Sequence, residues 1–145
     1  MTFNRRVAVA VMIGCGAFGL SLAAQSSESF KARLSAVPAD ARTRADLAGS
    51  GSASAVLTGT KLAVTGTFEG LRSAATTASL HSGVAAGVTG PVVGDLTISK
   101  ATSGTITGSF ELTPQQLTTL RKGGLYVQIH SEKAPDGVLW GWLLK

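Results

Sequence analysis

Apolar and polar residues alternate with a period of two in several separate stretches, the mark of strands with one buried face. The clearest stretch runs from Gly124: Leu125, Val127 and Ile129 alternate with Tyr126, Gln128 and His130. Pro135-Asp136-Gly137 follows as turn chemistry. Proline presets φ, aspartate bonds its own backbone, and glycine takes positive φ. A further strand is expected from Val138 to Leu144, carrying both tryptophans on one side. Earlier in the chain, Phe30 to Leu34 alternates apolar with charged residues. Ser52 to Leu57 and Leu62 to Phe68 form a hairpin around Gly59-Thr60-Lys61. In its second arm Leu62, Val64, Gly66 and Phe68 share one face, and the threonine-bearing face meets water. Ala78 to His81 reads as a short strand or strand end, and Val92 to Ile98 and Thr105 to Leu112 as two more strands. Ala39 to Gly51 is a short helix or a loop, with Asp40, Arg42, Arg44 and Asp46 as surface charges.

One segment has helical logic. Thr113 stands at an N-cap position with Gln116 three residues on, a capping box. Pro114 takes the first helical position, where a missing N–H costs nothing. Arg121 and Lys122 suit the C-terminal end of the helix dipole, and Gly123 closes it. The fold class expected is therefore all-β: a Greek-key β-sandwich or barrel of about seven strands, with one short capping helix over residues 113–122.

The first residues read as an address. Arg5 and Arg6 precede an uncharged apolar run from Val7 to Leu22, and Ser21 to Ala24 supplies small residues for cleavage. That is the pattern of a secretory signal peptide, and the run is short for a membrane span. The expected division is a signal peptide over residues 1–24, a polar leader over 25–29 and one β domain over 30–145. The lone Cys15 lies within the signal peptide; lipoprotein processing there is the competing reading. Cleavage leaves a domain without disulfides, in the periplasm or extracellular space, that relies on its core alone. The formal net charge is +5, and the basic residues of the domain are scattered, without a stripe interleaved with aromatics. Nucleic-acid binding finds no support in that distribution, and no membrane span is expected in the mature chain.

Three stretches together are familiar. Phe30-Lys-Ala-Arg-Leu34 opens the domain. Ser79-Leu80-His81-Ser82-Gly83 leads to Gly87-Val88-Thr89-Gly90-Pro91-Val92-Val93. Leu112-Thr113-Pro114-Gln115-Gln116-Leu117 leads to Gly124 through Ser131, then Pro135-Asp136-Gly137 and Gly141. In order and spacing these resemble the CHRD domain, the module repeated in chordin and found singly in many exported bacterial proteins. The resemblance implies an extracellular β-rich domain without established catalysis. It also exposes departures. The family usually shows His-x-His where this chain has Ser79-Leu80-His81, and it usually ends in Gly-x-Ile-Arg-Gly-Gln where this chain runs from Gly137 to Trp142. Tryptophans stand in place of an arginine and a glutamine.

The candidate chemistry is sparse. His81 and His130 are the only histidines. One reading brings them together on copper or zinc, with Asp95, Glu132 or Asp136 as further ligands, in a metal-dependent protein resembling superoxide dismutase. Two histidines fall short of the three or four ligands that zinc takes. The other reading has each ring bond loop backbone and hold the sheet together. No serine stands in a Gly-x-Ser-x-Gly elbow, and the glycine-rich loop from Ser82 to Pro91 lacks the Lys-Ser/Thr of a phosphate loop. No catalytic residue is assigned, no cofactor is required, and the protein is expected not to be an enzyme. The binding candidates are Trp140, Trp142 and Tyr126. Either the last strand is buried on both faces, or its tryptophans mark a partner protein, a glycan or a second copy of the chain. The expected function is an exported non-catalytic binding or structural module, or an accessory subunit of an envelope complex docking through the Trp140/Trp142 strand.

Overall fold

The computed structural model describes residues 26–145. The expected signal peptide, with Cys15 in it, lies outside the described residues. Within them the chain forms eight strands and one helix: β1 (Ser27–Ala36), β2 (Ser50–Thr58), β3 (Lys61–Glu69), β4 (Ala75–Ser82), β5 (Val92–Ile98), β6 (Gly104–Glu111), α1 (Pro114–Arg121), β7 (Leu125–Ser131) and β8 (Ala134–Trp142). All neighbours are antiparallel, and the sheet closes as a barrel in the order β1-β2-β3-β6-β5-β4-β7-β8. Consecutive strands β4, β5 and β6 form a meander, and β3 lies beside β6, which is Greek-key topology.

Two-residue alternation builds the interior. Phe30, Ala32 and Leu34 of β1, Ala53, Ala55 and Leu57 of β2, and Leu62, Val64 and Phe68 of β3 all point inward and are buried. Leu125, Val127 and Ile129 complete the core from β7, and Leu139 from β8. The outward positions of β2, β3 and β6 are largely serine and threonine, as an antiparallel sheet with one wet face allows. Helix α1 covers one end of the barrel with Leu120 fully buried. Its capping box forms as the sequence predicts: Gln116 N–H donates to Thr113 Oγ1 at 3.2 Å, and Thr113 N–H donates to Gln116 Oε1 at 2.9 Å. Leu71 enters the core from the β3–β4 connection.

The structure sharpens three expectations. The strand count is eight, in keeping with the roughly seven expected, and β4 is a full strand of eight residues. Its outer side is covered by the Tyr126 ring and the loop at Gly90, so its outward residues Ser79 and His81 are buried too, and the alternation that marks a strand disappears. The polar leader is partly structural. Ser27, Glu28 and Ser29 already pair with Thr58, Leu57 and Val56, and Glu28 holds Arg121 at 3.2 Å. Pro135-Asp136-Gly137 is not the β7–β8 turn. Ser131 pairs with Ala134, so Glu132-Lys133 makes the turn. The Pro-Asp-Gly segment is a bulge inside β8, where the register shifts between Ile129 and Ser131. Proline lacks the ladder N–H, and Gly137 takes φ +126°, so these residues leave the ladder rather than reverse the chain.

The alternation predicts how single truncations fall. Leu34→Ala removes a fully buried side chain and is expected to cost about 2–5 kcal/mol. Val56→Ala, at 41% exposure on the outward face of the neighbouring strand, is expected to stay within about 0.5 kcal/mol of the wild type. Urea unfolding of the two variants checks this, and equal losses would contradict the assigned faces.

Candidate functional site

The outward side of β4, β7 and β8 differs from the rest of the barrel wall. Register places His81 opposite Tyr126 and Ser79 opposite Gln128. On the other flank Tyr126 lies opposite Trp142, and Gln128 opposite Trp140. The four rings form a continuous stripe. His81 stacks on Tyr126 with centroids 4.9 Å apart and planes 17° apart. Tyr126 meets Trp142 at 4.9 Å, and Trp142 meets Trp140 edge-on at 5.0 Å. Tyr126 is 1% exposed, so its ring offers a partner no surface; it is the centre of the stripe. Trp140 and Trp142 are half-buried. The last strand thus answers both alternatives in part: its inner face is core, and its outer face is an aromatic layer left open at its margin.

At one end the stripe is roofed by the glycine-rich loop. Gly90 is the anchor: its N–H donates to Tyr126 Oη at 3.1 Å, and its carbonyl accepts from Tyr126 Oη at 3.3 Å or from His81 Nδ1 at 3.0 Å. A carbonyl can only accept, so Nδ1 carries a proton, and Nε2 lies 2.9 Å from Ser79 Oγ, its second hydrogen-bond partner. Both nitrogens of His81 are thereby engaged. The Ser79–His81 contact has the form in which a base activates a hydroxyl. Ser79 is only 6% exposed, and the imidazole lies flat on Tyr126, so the pair is sealed from substrate. A side chain at Gly90 would overlap the Ser82 carbonyl, which is why glycine stands at this contact.

At the other end the stripe opens into a cleft of about 430 Å³ between the β1–β2 connection and the β8 bulge. Trp140 forms one wall, with Pro38 and Pro135 beside it; Asp40, Lys133 and Asp136 supply charge. Hydrogen bonds set this shape. His130 Nδ1 donates to the Pro135 carbonyl at 2.8 Å, and Gln128 Nε2 donates to the Asp136 carbonyl at 3.1 Å. The bulge is therefore pinned by two outward residues of β7. Gly137 packs so tightly on the Gln128 amide that a side chain there would displace it. Across the cleft, Asp40 Oδ1 accepts from Arg42 N–H at 2.8 Å and Thr43 N–H at 2.9 Å. These bonds hold the Asp40 carboxyl below its usual range, so it stays ionised.

The two histidines sit apart on this face. His81 pairs with Tyr126 and His130 with Thr77, four residues further along the β4–β7 ladder. Among the described residues no group of three or more His, Cys, Asp or Glu side chains lies together. Each imidazole donates to a backbone carbonyl, His81 to that of Gly90 in the glycine-rich loop and His130 to that of Pro135 in the β8 bulge. Asp40 was legible only as a surface charge, and Gln128 only as an alternating polar position. The Asp40-x-x-Thr43 spacing is the one local sign of the capped turn.

The roof contact generates a prediction. Tyr126→Phe removes the acceptor of the Gly90 N–H and is expected to speed exchange of that amide, with a stability loss of about 0.5–1.5 kcal/mol. Hydrogen exchange followed by NMR reads this, and unchanged protection at Gly90 would refute the clamp.

No curated protein and no solved structure matches the chain. The family model of the CHRD domain matches residues 30–143, most of the chain and nearly all of the barrel. The chain belongs to the CHRD domain family.

Proposed function

We propose that this protein is an exported, non-catalytic binding module that engages its partner through Trp140 and the cleft beside it. Membership of the CHRD domain family supports a binding-type extracellular module. The observation that carries the assignment to this face is the asymmetry of the stripe. Tyr126 and His81 are buried and locked to Gly90, whereas Trp140 is left half-exposed at the mouth of a pinned cleft. Burying an indole margin against a partner gains apolar contact, and little side-chain entropy remains to be lost because the ring already packs on Trp142. Ser79, the nearest hydroxyl to a histidine, is buried, which favours recognition over turnover. No described helix is long and apolar enough to cross a membrane. The N-terminal leader pattern of residues 1–24 supplies the exported location in this reading.

The two tryptophans separate function from stability. Trp142 packs between Tyr126 and Trp140, so Trp142→Ala is expected to cost about 3–5 kcal/mol. Trp140→Ala is expected to cost about 1 kcal/mol and to abolish retention of the native partner, or self-association. Denaturant unfolding, pull-down from the envelope fraction and sedimentation of the purified protein measure the three quantities. A Trp140→Ala protein that keeps every association would remove the assignment.

A further inference from the structure

Resting on that reading, we propose that the cleft between the β1–β2 connection and the β8 bulge takes a neutral sugar ring, as a unit of an oligosaccharide, with Trp140 as its platform. The size suits a small ligand: about 430 Å³ falls inside the range of about 300–1,000 Å³ typical of such sites. The lining is of two kinds. Trp140, Pro38, Pro135 and Leu47 give it an apolar wall. Beside that wall stand several acceptors and one cationic donor. Asp40 spends Oδ1 on its turn and offers Oδ2, and Asp136 offers a second, exposed carboxylate. Gln128 commits Nε2 to the bulge and keeps Oε1 as an acceptor. Lys133 adds the donor, since the Thr43 hydroxyl already donates to Asp40 Oδ1 at 3.1 Å.

The pattern selects a ligand with an apolar face and a hydroxylated edge. A purely hydrocarbon guest would desolvate two carboxylates without compensation. An anion would face both of those carboxylates. A quaternary cation would face Lys133 and find a single ring, where cation recognition favours an aromatic cage. A pyranose lays its C–H face on the indole and directs hydroxyls to carboxylate and amide oxygens, which are strong acceptors. The walls are also preformed. His130 and Gln128 fix the Pro135 and Asp136 carbonyls, and Asp40 is held by its own turn, so little ordering is left to oppose binding. The two histidine and glutamine pins act here as positioning residues, shaping the cleft from behind.

Trp142→Phe leaves Trp140 as the only tryptophan and so as a local reporter. Titration of that protein with β-linked gluco-oligosaccharides and with N-acetylglucosamine oligosaccharides is expected to give a saturable fluorescence change, half-complete on the order of 1 mM or below. Sulfate and choline serve as anion and cation controls and are expected to give none. By calorimetry on the otherwise native protein, Trp140→Ala and Asp136→Asn are expected to weaken binding about tenfold or more. The unfolding midpoint of Asp136→Asn should stay near that of the wild type, and that of Trp140→Ala should fall only modestly. Absence of saturation with both sugar series, saturation by choline or sulfate instead, or unweakened binding by the two variants would overturn the proposal. If the sugars fail while Trp140→Ala still releases a bound protein, the ligand class is wrong and the binding reading stands. If Trp140→Ala alters neither, both are wrong.

Discussion

Closure of the barrel between its last and first strands is the constraint on which this structure depends. Ser35 pairs with Trp140 and Ala36 with Leu139, and Lys31 exchanges two backbone bonds with Leu144 at 2.7 and 2.9 Å. Without that seam β1 and β8 would each present an open edge. With it, every strand has two neighbours, and a domain lacking cysteine holds together by its ladder and its core. The seam also dictates the chemistry of β8. Leu139, and Leu143 just beyond the strand, must fill the interior, and its outer residues must cover a stretch of wall that the glycine-rich loop roofs only at one end. Tryptophan is suited to the second task, because one ring spans the distance between adjacent strands and packs on the ring opposite.

The outer aromatic layer gives the barrel two distinguishable ends. Toward the helix end, the layer is finished by a loop that folds back on itself. Ser82 N–H donates to the Pro91 carbonyl, Gly83 N–H to the Gly124 carbonyl, and Gly90 is gripped by the histidine and the tyrosine. Toward the opposite end the layer stops short, and the bulge in β8 lifts the chain away from the sheet. The cleft arises from that lift. Bulges are a common device for re-aiming side chains beside functional sites, and here the device turns Asp136 toward the space beside Trp140. Pinned and open groups are thus divided along one face. The histidines and Gln128 hold backbone, and the groups left with free polar atoms line the opening.

Periodicity alone located the strands and the helix, because side chains of a half-buried strand must alternate and a helix must cap its first turn. Leu62, Val64 and Phe68, or Thr113 and Gln116, declare their roles from local spacing. The pattern fails where its physical premise fails. In β4 both faces are buried, so Ser79 and His81 carry no polar signal of exposure. In Pro135-Asp136-Gly137 turn chemistry serves a bulge, since the same restricted φ values suit both uses.

What the sequence determined by itself was the all-β class and the capped helix, because each rests on residues near one another in the chain, and the family, because its motifs keep their order and spacing. Which ring is sealed and which is open was decided only by tertiary structure. Tyr126 and Trp140 have the same local alternation, yet one meets Gly90, far back in the sequence, and the other meets a gap between two connections. Contacts of that kind depend on strand order and register, and no local spacing encodes them.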